Sequence, residues 1–519
     1  MDGEVVASSI GGLYLSSAKT SSFVLKARDV ALHIVKCKEW KTYLTVWKPD
    51  GSALIRQEIS HGMNFTPEPE EGAIIWTLMM SGTPKLFSFK YNNKKDMDLV
   101  NRKIRIGMYE REKKESFDDL KKEDQPAVSG DGKMDVDYSE DDEDDEETLY
   151  ELGQRYKSKY EAKAKEAKSI EKNSYLEVGM ATDRTFVVRG SQIGVFKSGK
   201  RDEDLTYVGK INQVKDQRGN LFSPEKAILH DQDSKMILLP QGDRQRAFLM
   251  DLEREKVVEE WQGPESFNFE DLTPATKYQP ITGGSLVAGV NSNTVFRLDP
   301  RISTKNKLAD HKMYKTNYQF GCITTNEDGN LAVGSQKGEL RLYSDASKIA
   351  KVAFPGLGDL IKGVDTTADG KWVLGTCKNY LLLYNVLGRS GKTGFQKRML
   401  KDEKPVPLKL QLRPEDIAKH GITNIDFATA RFNLGDNEEE MISTSTGPFL
   451  IVWSFAAIKK SGAKARFRYR INKLDDAVVG EKFQYNSKRM VVTMKDDVVL
   501  QTLDPKKSRP RRRRHRYEK

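Results

Sequence analysis

The chain has 519 residues, 37% of them hydrophobic and 31% charged, with a formal net charge of +10. That length calls for two or three domains rather than one. Two short runs dominate the charge: Asp135 to Glu147 holds ten carboxylates in thirteen positions, and Pro505 to Lys519 holds nine Lys or Arg against one Glu. The remaining mild basic excess is spread too thinly for a nucleic-acid groove.

The cysteines, Cys37, Cys322 and Cys377, are odd in number and far apart, which excludes a disulfide framework and a CxxC zinc pattern. A reducing compartment is expected. The start MDGEVVASSIGG lacks a basic segment followed by an apolar one, no run of about eighteen apolar residues occurs, and Asp2 stands where myristoylation needs Gly. The sequence therefore predicts a protein of cytoplasm and nucleus with no transmembrane segment.

In chain order, residues 8–111 come first. Phe23 to Val35 and Tyr43 to Trp47 are rich in β-branched and aromatic residues, and Lys48-Pro49-Asp50-Gly51 is a turn leading into Ser52–Ile59. Ala73–Met80 pairs with Lys85–Lys90 through Ser81-Gly82-Thr83-Pro84. Met97, Val100, Ile104 and Met108 then share one face of a helix. Strands closed by one helix are the plan of the pleckstrin-homology superfold, with an unrelated α+β domain or strands capping the next domain as alternatives.

Residues 112–172 are charged and poor in apolar side chains, and predict a disordered acidic linker ending in a solvated helix around Leu152, Tyr156 and Tyr160. Ser139, followed by Glu140-Asp141-Asp142, is a candidate phosphorylation site for an acidophilic kinase. The acidic run either engages a basic partner or is a solvating spacer. Asp135, Asp137, Ser139, Asp141 and Glu146 echo a calcium loop, but Glu140 stands where its glycine belongs.

Residues 173–504 contain a repeat. Ile323–Tyr343 aligns without a gap on Val364–Tyr384 at an offset of 41, sharing Asp328/Asp369, Gly329/Gly370, Gly334/Gly375 and Tyr343/Tyr384. Each unit reads strand, Asp-Gly turn, strand, turn, strand, and the period is that of WD-type propeller blades. Ser234–Leu252, Ser285–Asp299, Met441–Phe455, Arg489–Leu503 and Phe186–Phe196 are weaker copies. The expected fold is mainly β, with a seven-bladed WD-like β-propeller after the pleckstrin-like barrel. Leu387 to His420, with Pro405, Pro407 and Pro414, reads as a long irregular loop of the sixth blade.

Gly358–Leu383, GDLIKGVDTTADGKWVLGTCKNYLLL, and Gly289–Arg301, GVNSNTVFRLDPR, resemble the vacuolar import and degradation protein 27 family, especially its plant members, the defective-embryo-and-meristems proteins. The resemblance implies a WD-like propeller preceded by a pleckstrin-like domain and an acidic linker. It supplies no catalytic residues, and its relatives can carry a longer N-terminal segment.

Chemistry-bearing motifs are sparse. Gly391-Lys392-Thr393 ends like a phosphate loop but has Val386 where the first Gly is required. The histidines form no HxxxH pair. No catalytic residue, cofactor or metal site is expected. An enzyme working in the propeller channel needs metal ligands or carboxylates near the blade centres, and the recognisable inner strands instead carry Val, Leu, Ala, Gly and Thr, which argues against one. Residues 505–519 are expected to be a disordered basic tail, and its Lys506, Lys507, Arg509, Arg511, Arg512, Arg513, Arg514 and Arg516 suit nuclear import, with RNA or phospholipid attraction as the rival reading. Lys36, Lys38 and Lys41 lie between two strands where the pleckstrin superfold often binds phosphoinositides, although surface lysines are the simpler account. By the same analogy a Ran-type small GTPase is a candidate partner. The expected function is a non-enzymatic protein-interaction scaffold; an RNA-associated nuclear factor is the alternative.

Overall fold

In a computed structural model the described residues are 3–16, 22–131, 147–157, 171–199, 205–264, 267–302, 304–508 and 517–518. The N-terminal strands are β1 (Gly3–Ser16), β2 (Phe23–Cys37), β3 (Thr42–Trp47), β4 (Ala53–Glu58), β5 (Thr66–Glu68), β6 (Ala73–Met80) and β7 (Thr83–Tyr91). They form one antiparallel sheet in the order β4-β3-β2-β1-β7-β6-β5. Helix α1 (Lys94–Lys113) closes it, with Asn93 capping the start and Met97, Val100, Ile104 and Met108 buried against Leu32, Leu44 and Trp76. The Ser81-Gly82 turn has left-handed backbone at both residues (φ 49° and 74°), as a tight hairpin demands.

Strand β1 was not expected. Its Ser and Gly residues have low strand propensity, yet it occupies the middle of the sheet, pairing with β2 and β7. Tertiary context decides here: a Cβ at Gly11 would lie 2.2 Å from the Lys90 carbonyl.

The ring follows. Blade one comprises β9 (Asn173–Val178), β10 (Arg184–Arg189), β11 (Gln192–Ser198) and β12 (Leu205–Ile211). Blade two is β13 (Pro224–His230), β14 (Lys235–Pro240), β15 (Arg246–Asp251) and β16 (Lys256–Gln262). Blade three is β17 (Asp271–Pro274), β18 (Val287–Asn291), β19 (Thr294–Leu298) and β20 (Leu308–Met313). Blade four is β21 (Phe320–Thr325), β22 (Leu331–Ser335), β23 (Leu340–Tyr343) and β24 (Val352–Phe354). Blade five is β25 (Gly363–Thr366), β26 (Trp372–Thr376), β27 (Leu381–Asn385) and β28 (Leu408–Leu410). Blade six is β29 (Arg431–Phe432), β30 (Met441–Thr446), β31 (Phe449–Ser454) and β32 (Tyr469–Lys473).

Blade seven contains β33 (Val478–Phe483), β34 (Arg489–Met494) and β35 (Val498–Ser508), and its outermost strand is β8 (Glu147–Lys157), contributed from ahead of blade one. The chain thus closes its ring by pairing an early strand with the last one, which removes the free edge that β35 would otherwise present. Apolar faces of adjacent blades bury one another. Trp261, Phe269 and Phe296 fill the seam of blades two and three, and Trp453, Phe427 and Leu410 that of blades five and six.

Three expectations are corrected. The segment 112–172 is not structureless throughout: Phe117 and Val128 pack on Tyr109, a short helix α2 (Gln125–Ser129) forms, and β8 replaces the expected helix over 151–157. Residues four apart share a face in a helix and in a strand alike, so the spacing of Leu152 and Tyr156 could not separate the two. The tail 505–519 likewise begins in a strand, with Pro505 to Ser508 paired to β8, and Tyr517–Glu518 pairs with the start of β2. The Leu387–His420 segment belongs to the fifth blade, whose outermost strand is Leu408–Leu410.

Candidate interaction site: the channel and the docked domain

The ring surrounds a channel with a cavity of about 330 Å³. Its wall is made by the innermost strands, and these carry charge: Glu177 on β9, Lys226 on β13, Asp271 on β17, Asp365 on β25, Arg431 on β29 and Lys482 on β33. The expectation of neutral strands near the axis is therefore wrong. The recognisable apolar strands are the second and third of the blades, in most of them buried on both faces, whereas the first turns side chains toward the axis.

The charges pair across blades. Lys482 Nζ donates to Glu177 Oε2 at 2.6 Å. Lys226 meets Asp271, whose other oxygen accepts the Ile323 N–H at 3.0 Å. Lys277 Nζ, buried with its partner, donates to Asp365 Oδ1 at 3.0 Å, and Asp365 Oδ2 accepts the Phe432 N–H at 2.8 Å. Burial pulls the Lys482 ammonium down to about 8, and burial raises the neighbouring Glu481 carboxyl, which accepts from Ser445 Oγ at 2.8 Å, to about 7.

One end of the channel is closed. The loop after β17 carries Lys277, Tyr278 and a short helix, α3 (Gln279–Thr282). Lys277 N–H donates to Asn326 O beyond β21, its Nζ reaches Thr366 O at the end of β25, and Tyr278 Oη donates to Gly435 O beyond β29 while its ring meets Tyr485 beyond β33. All four partners lie at or beyond the ends of their innermost strands, so the loop covers the face where those strands leave the channel.

The pleckstrin-like domain sits on the other face. Strands alternate in direction, so each hairpin between a blade's second and third strands lies on the face where innermost strands begin, together with the links between blades. Its contacts fall there: Lys113 Nζ with Lys337 O, and His61 Nε2 with Leu357 O at 3.2 Å. On the adjoining edge of blade five, Gln411 Nε2 donates to Phe65 O at 3.0 Å, and Lys409 Nζ lies 3.4 Å from His61 Nδ1 and 4.5 Å from the Tyr380 ring centre. Burial, reinforced by the Lys409 charge, drops the His61 pKa well below its usual value, so the ring is neutral and can accept from Lys409. Lys404 holds Asp124 at 2.9 Å, tying the segment after α1 to the ring as well.

The sequence-predicted residues are scattered. Lys36 Nζ is held by the buried Glu110 carboxylate at 2.7 Å, Lys41 pairs with Glu39 at 2.8 Å, and Lys38 is exposed in the turn between them. Lys506 and Lys507 lie in β35, opposite Leu149 and Thr148. Arg509 to Arg516 and Ser139, with the calcium-like positions 135–146, lie outside the described residues. Gly391-Lys392-Thr393 forms a turn bridged to Leu387 and Gly388. Among the described residues no cluster of three or more His, Cys, Asp or Glu is arranged to hold a metal, and no helix is long and apolar enough to cross a membrane. The missed residues share one signal, charge in the strand preceding a recognisable hairpin, single as in Val364-Asp365-Thr366 and Ala430-Arg431-Phe432 or doubled as in Glu225-Lys226 and Glu481-Lys482.

Comparison with known proteins now decides the family. A model described as "VID27 C-terminal WD40-like domain" matches residues 171–515, and one described as "VID27 PH-like domain" matches residues 4–111. The chain belongs to the VID27 family. Among its VID27 relatives, Vacuolar import and degradation protein 27 of Saccharomyces cerevisiae is 37% identical over 339 residues, 63% of this chain and 43% of that protein. The Schizosaccharomyces pombe protein of the same name is 36% identical over 343 residues, 64% of this chain and 42% of its own. This VID27-family chain spans about two fifths of the length of those relatives. Among solved structures, the β-propeller domain of Myceliophteria thermophila Cps50 (Swd1) covers 68% of this chain and 100% of that one at a TM-score of 0.46 and 10% identity. The paired WD40-like and PH-like domains of a VID27-family chain fit a protein-interaction scaffold.

Proposed function

We propose that this protein is a non-enzymatic scaffold that receives a protein partner at the open mouth of its propeller, beside the PH-like domain. The observation that carries this reading is the shared face: one end of the channel is covered by the Lys277–Tyr278 loop, and the PH-like domain is fixed on the face where the channel opens. A ligand at the mouth therefore meets both domains at once. Ion pairs already formed across the wall hold the blades in register and make the channel a fixed recess.

The test is affinity purification with the intact chain and two surface variants. Lys362→Glu changes an exposed lysine at the mouth that pairs with Asp426, and Arg254→Glu changes an exposed arginine of the opposite face that pairs with Asp251, so each variant breaks one surface ion pair. Partner retention is expected to fall at least roughly tenfold with K362E, the size of a lost charge-assisted contact, and to persist with R254E. Equal retention by both would remove the mouth as the docking surface.

For the PH-like domain, the Lys36–Glu110 pair speaks against a phosphoinositide headgroup, because the lysine best placed to meet one is already engaged. A Ran-type small GTPase is the partner we propose for that domain by analogy with its fold; GTP-loaded and GDP-loaded protein retained alike, or not at all, would exclude it. We place the protein in cytoplasm and nucleus through the tail Lys506 to Arg516. Residues 505–519 fused to a fluorescent reporter are expected to concentrate it in nuclei, and a uniform distribution would contradict that assignment.

A further inference from the structure

The channel wall contains a cation without a counterpart. Lys226, Lys277 and Lys482 each hold a carboxylate, of Asp271, Asp365 and Glu177 respectively. Arg431, on the innermost strand of blade six opposite Ser443, lines the same cavity and is partly buried, and its guanidinium makes no hydrogen bond or ion pair with any described residue. It faces Asp365, Tyr175, Glu177 and Asp271 at longer range; these outweigh burial and keep the guanidinium firmly charged. A planar fork of N–H donors standing free in a water-accessible recess is the arrangement that recognises a carboxylate or a phosphate.

The surrounding charge chooses between them. Glu177, Asp271 and Asp365 are matched one to one, Glu270 is held by Arg244, and Asp233, which also lines the cavity, accepts from the Ala181 and Thr182 N–H groups, so Arg431 leaves room for at most a single extra negative charge. A phosphate dianion or a polyphosphate would leave surplus negative charge beside these five carboxylates in a confined site. The depth of the recess fits as well. The loop around Lys277 and Tyr278 blocks the far end, so a ligand enters from the face bearing the PH-like domain and stops within the ring. Thr273, Thr324 and Thr429 also line the cavity.

We propose that the blind channel is a receptor for one carboxylate group, clamped by the Arg431 guanidinium. The carboxylate comes from an Asp or Glu side chain of a docking partner, and in that form the inference rests on the scaffold reading above; a free small dicarboxylic acid is the other source of the same group.

The test pans short random peptides displayed on phage against the full chain, in parallel with the variants Arg431→Gln and Arg431→Lys, and measures thermal stabilisation by glutarate and by inorganic phosphate at equal ionic strength. Wild type is expected to select peptides with Asp or Glu at one fixed position. Changing that residue to its amide, or Arg431 to Gln, should weaken binding at least roughly tenfold. Arg431→Lys keeps the charge and loses the fork, so it should fall between, and it carries the test if the Gln variant fails to fold. Stabilisation of wild type by glutarate, reduced in the Arg431 variants, without any acidic peptide would assign the pocket to a free acid. Peptides selected with no acidic position, or unaffected by Arg431 substitution, would overturn the carboxylate receptor and leave the scaffold standing. Phosphate stabilising as strongly as glutarate would overturn the choice of ligand. Absence of both peptide and glutarate binding would remove the carboxylate receptor, while the scaffold stands or falls with the Lys362 and Arg254 variants.

Discussion

Deleting residues 147–157 from the full chain is expected to abolish cooperative unfolding of the propeller and to drive the protein into aggregates on size-exclusion chromatography. These residues form β8, whose ladder with β35 runs from Glu147 opposite Ser508 to Lys157 opposite Val499. Without it, β35 exposes a row of unpaired N–H and C=O groups along the edge of a blade whose Val499, Leu500 and Leu503 are fully buried. Each lost backbone pair is worth about 0.5–1.5 kcal/mol net, and the ladder has several, set against a total stability of about 5–15 kcal/mol for a typical domain. The loss is therefore comparable to the whole. A propeller fragment beginning at Tyr175 carries the same defect, so separated fragments must start before Glu147. A deletion variant that melts in one transition at the wild-type temperature would show that β8 does not close the ring.

The second large effect is expected at Asp365. Replacing it by Ala leaves Lys277, whose side chain is 6% exposed, as a buried cation without a carboxylate, and leaves the Phe432 N–H without its acceptor. Breaking a buried pair in this way costs about 3–5 kcal/mol, and the lost backbone acceptor places Asp365→Ala at the upper end. Lys277→Met in the same chain removes the stranded charge and should restore part of the loss. In a double-mutant cycle followed by urea denaturation, the double variant should be less destabilised than the sum of the single ones by about 0.5–3 kcal/mol. Additive effects would mean that the Lys277 loop is not anchored through Asp365.

How far the sequence revealed this structure depends on which strand one considers. The second and third strands of most blades are buried on both faces, and their apolar runs around turns such as Asp328-Gly329 and Asp369-Gly370 made the repeat visible. Gly329 and Gly370 have φ of 77° and 66°, which suits the residue that both copies place there. The α1 stripe of Met97, Val100, Ile104 and Met108 was equally legible because one buried helical face imposes its period.

Strands specified by distant partners were not legible. β1 is poor in strand-forming residues and is held by β2 and β7, while β8 lies in charged sequence and gains its conformation by completing a blade whose other strands come more than 300 residues later. The channel residues escaped for a related reason. Some innermost strands are short, two residues in the case of Arg431–Phe432, and charge in any of them reads as surface until the ring shows that seven of these strands converge on one axis. The domain contacts, Gln411 to Phe65 and Lys409 to His61, join residues some 350 apart and left no local trace.

A ring latched by an early strand is tested most directly by amide hydrogen exchange on the intact protein. Such a ring predicts that amides within Glu147–Lys157 are protected to the same degree as those of Val498–Leu503 in the partner strand, and are released together with them in denaturant. Complete exchange of Glu147–Lys157 within seconds, while Val498–Leu503 stays protected, would contradict it.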